Sequence, residues 1–278
     1  MDIPEALLRH FVALDIVQET CGKEKKQIAG TVSGCLLDLG ETLFYLTAGH
    51  VLKQLNTNIQ AGAARIVIAR FVDRFGPRVP KEQLLPFEYV PRRAIAMYEE
   101  EYDVDFGLII LDDLYRNIFN SSGKLPITEK DLLESDVGPH CDEFGVLGVP
   151  EEFSTFRDTG RSFARSVTTA LIPVEVIHEG TLSHATGRAP RLQGRVRNDA
   201  KLKSLKGTSG GPVFGFTRSK PDKYFIVGIQ SAWDRSTRTA YICPLQVIWL
   251  FLGPVAAKIR ELRRQHDAKQ SAGPPAGD

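Results

Sequence analysis

Three side chains far apart in the sequence could together cut an acyl bond. Ser209 stands in Gly207-Thr208-Ser209-Gly210-Gly211-Pro212, flanked by glycines and stopped by a proline. Glycine permits positive φ angles and close backbone approach. Such a loop can expose a hydroxyl and aim successive N–H groups at one point. Acyl transfer needs both a nucleophile and donors for the oxyanion. At ordinary usage of glycine, serine and proline, a G-x-S-G-G-P hexapeptide arises by chance in a chain this long with probability on the order of 10⁻⁴ to 10⁻³. A glycine-rich turn with a solvated serine is the plainer reading, so the partners must decide.

A serine hydroxyl needs an adjacent base. Six histidines are present. His10, His140, His178, His184 and His266 fall in amphipathic, loop-flanking or charged surroundings. His50 ends a predicted hairpin inside Leu46-Thr47-Ala48-Gly49-His50-Val51, among small residues that leave room for an imidazole. The imidazole in turn needs a carboxylate to set its tautomer. Asp105 opens the apolar run Phe106-Gly107-Leu108-Ile109-Ile110-Leu111, where a charge is costly unless paired. Asp103, two positions earlier, is the competing carboxylate, and a plain turn residue is the simpler role for either.

The elements that must position these residues read as antiparallel β structure. Residues 4–9 suggest a short helix and 11–17 a strand. Strands 28–39 and 42–46, joined at Gly40-Glu41, form the hairpin that delivers His50, in the short-turn pattern of antiparallel sheets. Further strands are expected at 64–72, 87–90, 93–98 and 103–111. Residues 112–136 are polar and read as a crossing segment. A second β-rich half starts near Cys141, with strands at 144–149, 166–178, 191–197, 213–216, 224–231 and 239–243. Residues 254–266 have helical spacing (Val255, Ile259, Leu262), and the tail is disordered by composition.

With 278 residues there is room for one large or two small domains. Hydrophobic residues at 42% and charged residues at 25% are ordinary for a soluble globular chain. A net charge of +1 gives no global field toward nucleic acid or membrane. No stretch approaches the ~20 apolar residues of a membrane span, and Met1-Asp2-Ile3-Pro4-Glu5 lacks the basic start of a signal peptide. Cys21, Cys35, Cys141 and Cys243 are scattered without a C-x-x-C pair. No metal site is expected, and a reducing compartment is favoured.

In this order and context, His50, Asp105 and Ser209 resemble the chymotrypsin/trypsin-like serine protease family. The likeness extends to Gly228-Ile229-Gln230-Ser231-Ala232-Trp233, similar to the strand along which that family's substrates lie, and to Gly148-Val149-Pro150. It covers about 28–250. The resemblance implies an all-β fold of two antiparallel six-stranded β-barrels with a C-terminal α-helix and the site between the barrels. The first barrel would span about 11–113, the crossing segment 114–140 and the second barrel about 141–250. These make one peptidase domain over 1–250, followed by a helix at 251–267 and a disordered tail at 268–278. It further implies Ser209 as nucleophile, His50 as general base then acid, Asp105 as its orienter, and an oxyanion hole from the Gly207 and Ser209 N–H groups. No cofactor is implied, and the substrate is a protein or peptide.

The resemblance places substrate-binding residues at Lys203, Ser204, Ser231, Ala232 and Trp233. A lysine at the pocket base would favour an acidic or polar side chain before the cut; a lysine pointing into solvent is the alternative. Trp233 stands where many relatives have glycine and would narrow the pocket. Two departures matter. Thr208 replaces the aspartate that pairs with a newly cut N-terminus in secreted members, and the extracellular disulfide pattern is missing. Both point toward intracellular, bacterial-type or regulatory members, hence a cytoplasmic serine endopeptidase with no PDZ-type module.

Two rival readings and one side feature remain. The fold could be a catalytically latent scaffold that binds a protein partner. Ser209, Asp234 and His266 also follow the order of an α/β-hydrolase esterase, but a nucleophile elbow needs a strand before it and a helix after it. Here Lys201–Lys206 precedes the serine and Pro212 follows it. The basic stretch 188–206 (Arg188, Arg191, Arg195, Arg197, Lys201, Lys203, Lys206) reads first as a solvated face. Recruitment of an acidic partner is its second reading, with nucleic acid the less favoured form of it.

Overall fold

The computed structural model describes residues 4–22, 24–40, 42–72, 84–133, 140–158, 163–177, 192–197 and 202–271. The chain opens with α1 (Glu5–Leu8) and then lays down the first half. Its strands are β1 (Phe11–Thr20), β2 (Gln27–Leu39), β3 (Thr42–Thr47), β4 (Ala64–Val72), β5 (Leu85–Pro86), β6 (Ala94–Glu99), β7 (Val104–Ile110) and β8 (Ile127–Thr128). They form one sheet in the order β5-β4-β1-β2-β3-β7-β6, with β8 joining β2 in parallel. β5 and β8 have two residues each, so six longer strands carry the half. β1 is buried from Phe11 to Val17 without alternation, because both of its faces are covered. Asp15 within that run is 1% exposed. It is tolerated because Arg70 lies directly opposite on β4 and donates to it at 2.9 Å.

Three helices sit in this part: α2 (Gly49–Gln60), α3 (Asp113–Ser121) and α4 (Glu129–Leu133). None was expected from the sequence reading, although α2 carries Leu52, Leu55 and Ile59 at helical spacing. α3, β8 and α4 occupy what read as a polar crossing segment. Tyr115 and Phe119, four apart, turn one face of α3 onto the first core. The expected strand at 87–90 is not formed; only Leu85–Pro86 pairs there, with β4.

The second half is a closed six-stranded barrel in the order β12-β13-β16-β15-β14-β9. Its strands are β9 (Glu143–Gly148), β12 (Ala170–Val176), β13 (Leu192–Val196), β14 (Pro212–Thr217), β15 (Lys220–Asp234) and β16 (Thr239–Pro244); β10 (Thr155–Asp158) and β11 (Phe163–Ser166) form a separate hairpin. The architecture is therefore mostly β, in two parts, with the C-terminal helix α5 (Leu245–Ser271). That helix begins six residues before the expected 251, because Leu245, Val247, Ile248 and Leu252 already form its buried stripe. Pro254, which read as a helix start, lies inside it. The expected tail contributes its first residues to α5, and 272–278 lie outside the described residues. The four cysteines form no disulfide, and among the described residues no helix is long and apolar enough to cross a membrane.

Each half has its own core, and two further clusters join them. One packs Leu37, Leu46, Phe106 and Leu108 of the first half against Ile229, Cys243 and the start of α5. The other packs Leu7, Phe11 and Ala13 against Leu147, Val149 and Phe214. These shared clusters hold the β3–β7 region against the β9–β14 region, where the candidate residues sit.

Candidate active site

His50 is the second residue of α2, three residues beyond the end of β3. β3 runs antiparallel to β7 with Thr47 opposite Gly107, so the chain leaves the sheet beside Asp105. Two glycines let the helix come this close. A Cβ on Gly49 would lie 2.2 Å from the Met97 carbonyl oxygen, and one on Gly107 2.7 Å from the Leu52 side chain.

Asp105 is 1% exposed, and one carboxylate serves two donors. Its Oδ1 accepts the His50 backbone N–H at 2.9 Å, and its Oδ2 lies 2.8 Å from His50 Nδ1. The first bond satisfies an N–H that the helix start leaves without an internal partner. The second requires the ring proton on Nδ1, which leaves Nε2 with its lone pair. Asp103 takes a different place, at the left-handed turn before β7, with φ 58°. Tyr98, opposite Asp105 on β6, meets the imidazole edge-on at 5.9 Å between ring centroids. Lys53 Nζ stands 5.1 Å from the Tyr98 ring centre, and the Tyr98 hydroxyl donates to Glu100.

Ser209 lies in the loop from 202 to 211, which leads into β14. Gly207 has φ +93° and Gly210 φ +89°, angles an L side chain rarely adopts. A Cβ on Gly207 would sit 2.6 Å from the Val149 oxygen, and one on Gly211 2.1 Å from the Leu147 oxygen. The loop's own bonds set its peptide planes. The Lys206 carbonyl accepts the Glu151 N–H at 2.8 Å, and the Thr208 carbonyl accepts the Gly211 N–H at 2.9 Å. In a trans peptide the following N–H points the opposite way. The Gly207 and Ser209 N–H groups thereby point away from those two donors, and neither donates to a protein acceptor among the described residues. Thr208 is buried; its hydroxyl donates to the Leu205 carbonyl at 2.7 Å and lies 3.4 Å from the Gln230 side-chain oxygen on β15.

His50, Asp105 and Ser209 line one cavity of about 560 Å³ together with Tyr98, Glu100, Ser204, Leu205, Lys206, Ser231, Ala232 and Trp233. Among the described residues no hydrogen bond joins the Ser209 hydroxyl to His50. Of the residues expected to bind substrate, Ser204, Ser231, Ala232 and Trp233 line the cavity. Lys203 does not. It is exposed, and its backbone N–H donates to Glu152 at 2.8 Å. The lysine on the cavity wall is Lys206, whose Nζ lies 2.8 Å from Glu151, so an acidic preference set by a lysine at the pocket base finds no support at position 203. The Trp233 indole N–H is buried without a partner among the described residues.

Tyr98, Glu100, Leu205 and Lys206 were not expected in the site. Tyr98 and Glu100 arrive through the β6–β7 register, which a strand reading without pairings cannot supply. In the basic stretch, Arg188, Arg191 and Lys201 lie outside the described residues, as do His178 and His184. Asp234 caps its own turn through Ser236 and Thr237 rather than reaching the cavity. Those hydrogen bonds, the Ser236 hydroxyl foremost, hold its carboxyl below the usual range. The serine loop is followed by strand β14, not by the helix that a nucleophile elbow requires. No group of three or more metal-ligating side chains converges among the described residues.

No family model matches the chain, and no curated protein matches it. A solved structure of GrC (granzyme C, a chymotrypsin-like serine protease) aligns over 91% of this chain and 96% of its own, at 14% identity and a TM-score of 0.49. A likeness at that level says nothing about what this chain does.

Proposed function

We propose that the chain is a serine endopeptidase acting through an acyl-enzyme. The observation that carries the reading is the buried Asp105 carboxylate holding His50 Nδ1 at 2.8 Å in the cavity that Ser209 also lines. In this reading His50 Nε2 takes the Ser209 proton as the hydroxyl oxygen attacks the substrate carbonyl. The Gly207 and Ser209 N–H groups receive the oxyanion. His50 then gives its proton to the leaving amine, and water repeats the sequence to release the acid. The substrate strand lies along Ser231–Trp233, where β15 has passed the end of its pairing with β14. The buried thiols Cys35, Cys141 and Cys243 suit a cytoplasmic setting.

A fluorophosphonate probe and a peptide library test this. Wild type should be labelled at Ser209 and should cleave peptides; Ser209→Ala should do neither, and His50→Ala should lose cleavage. The second reading, a latent scaffold, draws on the missing Ser209–His50 bond. It wins if the folded wild type takes up no probe. An esterase using His266 would instead lose activity on substitution of His266 and keep it in His50→Ala.

A further inference from the structure

Gly207 poses a physical problem. Its N–H is one of the two oxyanion donors, yet glycine has no side chain to restrain its dihedrals, and its φ is +93°. Something outside the residue must hold the peptide planes on both sides of it. The Lys206–Gly207 plane is held by Glu151, as described above. The Gly207–Thr208 plane is held from the other half of the molecule. Ser33, on β2 and fully buried, donates its hydroxyl hydrogen to the Gly207 carbonyl at 2.8 Å. The Ser33 hydroxyl oxygen in turn accepts the N–H of Val149, just beyond the end of β9, at 3.0 Å. The Ser33 backbone is itself fixed, since Thr47 Oγ1 donates to its carbonyl at 2.8 Å. Gly210 packs directly on this spot, where a Cβ would fall 2.5 Å from the Ser33 carbonyl oxygen.

We propose that Ser33 is a positioning residue for the oxyanion donors, a latch by which the half carrying His50 and Asp105 also sets the geometry of the serine loop. The proposal rests on the peptidase reading. It explains how the loop is formed with Thr208 in place of a carboxylate: the neutral Thr208 hydroxyl bonds the Leu205 carbonyl, Gln230 on β15 and Glu151 hold the loop from the second half, and Ser33 supplies the anchor from the first. The base and the oxyanion donors are then coupled, because both are referenced to the β2–β3 hairpin.

The test compares Ser33→Ala with wild type on one cleaved peptide and on the matching peptide aldehyde, whose adduct with Ser209 places an oxygen at the oxyanion donors. Rates are taken per fluorophosphonate-labelled site. The expected result is a fall in kcat and in aldehyde affinity by the same factor, about 10- to 100-fold, with KM within about twofold. Tyr45→Phe is the control, since it removes a buried hydrogen bond to the neighbouring Val32 carbonyl. It should lower the unfolding midpoint and leave kcat alone. Ser33→Cys, which keeps the site filled with a weaker donor, should fall between wild type and Ser33→Ala, and it carries the test if the alanine variant does not fold. Unchanged kcat and aldehyde affinity in a folded Ser33 variant overturns the latch. A wild type that neither labels nor cleaves overturns the peptidase reading itself.

Discussion

At Asp105 one carboxylate closes a helix start and orients a ring. Asp105→Asn separates charge from shape. The amide can still fill the space, but its NH₂ faces His50 Nδ1 and favours the tautomer with the proton on Nε2, which cannot accept one from Ser209. The expected outcome is a kcat lower by about 10³- to 10⁴-fold with a small change in KM, measured on a cleaved peptide. Gly207→Ala tests the loop at the same scale. Its φ of +93° and the 2.6 Å approach to Val149 leave no place for a methyl group. Activity should fall by about 10²-fold or more, and the unfolding free energy should drop by about 2–5 kcal/mol, the positive φ and the backbone clash adding. Retention of full activity in Gly207→Ala would remove that N–H from the mechanism. That Ser209, His50 and Asp105 would meet in one cavity was legible from the glycines around the serine, the small residues before His50 and the apolar run after Asp105. Lys203 falls outside the cavity and Lys206 lines it, because counting back along a loop does not say which side chains turn inward.

At the scale of elements, the decisive contact is α2 against β6 and β7. Alanine is ordinarily a better helix former than glycine, so Gly49→Ala would stabilise an exposed helix. Here a Cβ would meet the Met97 oxygen at 2.2 Å and the Phe106 oxygen at 2.7 Å. The expected result is destabilisation by about 1–3 kcal/mol, read by chemical denaturation, with loss of activity as His50 is pushed off Asp105. Leu52→Ala, which empties a fully buried position on the same helix, should cost about 2–5 kcal/mol. The strands were largely visible in the sequence: β4 matches its expected limits, and the β2–β3 hairpin falls within a residue. The helices were not. α2 and α3 are short, and their apolar residues are few among polar ones; only packing against the first core makes those faces count. α5 was read late because Pro254 signals a start in isolation, whereas the stripe from Leu245 to Ala256 decides where the helix begins.

At the scale of the molecule, the candidate base and nucleophile belong to different halves, so chemistry depends on how those halves are held. One tie is the N-terminal segment. His10 is 9% exposed; its Nδ1 lies 3.0 Å from the Leu125 carbonyl and its Nε2 2.9 Å from the Tyr224 hydroxyl on β15. The Leu125 carbonyl fixes a proton on Nδ1, while the Tyr224 hydroxyl, which also donates to the Ala6 carbonyl at 3.4 Å, can serve Nε2 as donor or acceptor. Burial lowers the His10 pKa from 6.5, against the raising influence of the Leu125 carbonyl and Asp131; Arg9 and Lys124 act in the same direction as burial. In the unfolded chain the imidazole takes a proton as pH drops through about 6.5, while the folded protein resists until lower pH. The unfolded state binds more protons in that window, so stability rises with pH across it and is lost as pH falls below about 6.5. Unfolding midpoints at pH 5.5 and 7.5, compared with those of His10→Gln, should show a smaller pH difference in the variant. An equal difference would clear His10 of the effect.

From the sequence alone came the β-rich halves, the C-terminal helix and the choice of three side chains that the fold gathers at one cavity, since periodicity, glycine placement and an isolated charge before an apolar run are local signals. The tertiary structure decided what is not local. It set the β6–β7 register that brings Tyr98 beside Asp105, the helix face that lets α2 approach, the orientation of the peptide planes around Gly207, and the reach of Ser33 across the two halves. Each of these depends on which strands pair and in what register, on contacts between segments distant along the chain, or on a dihedral that a glycine leaves open, and none of these is written in the order of the residues.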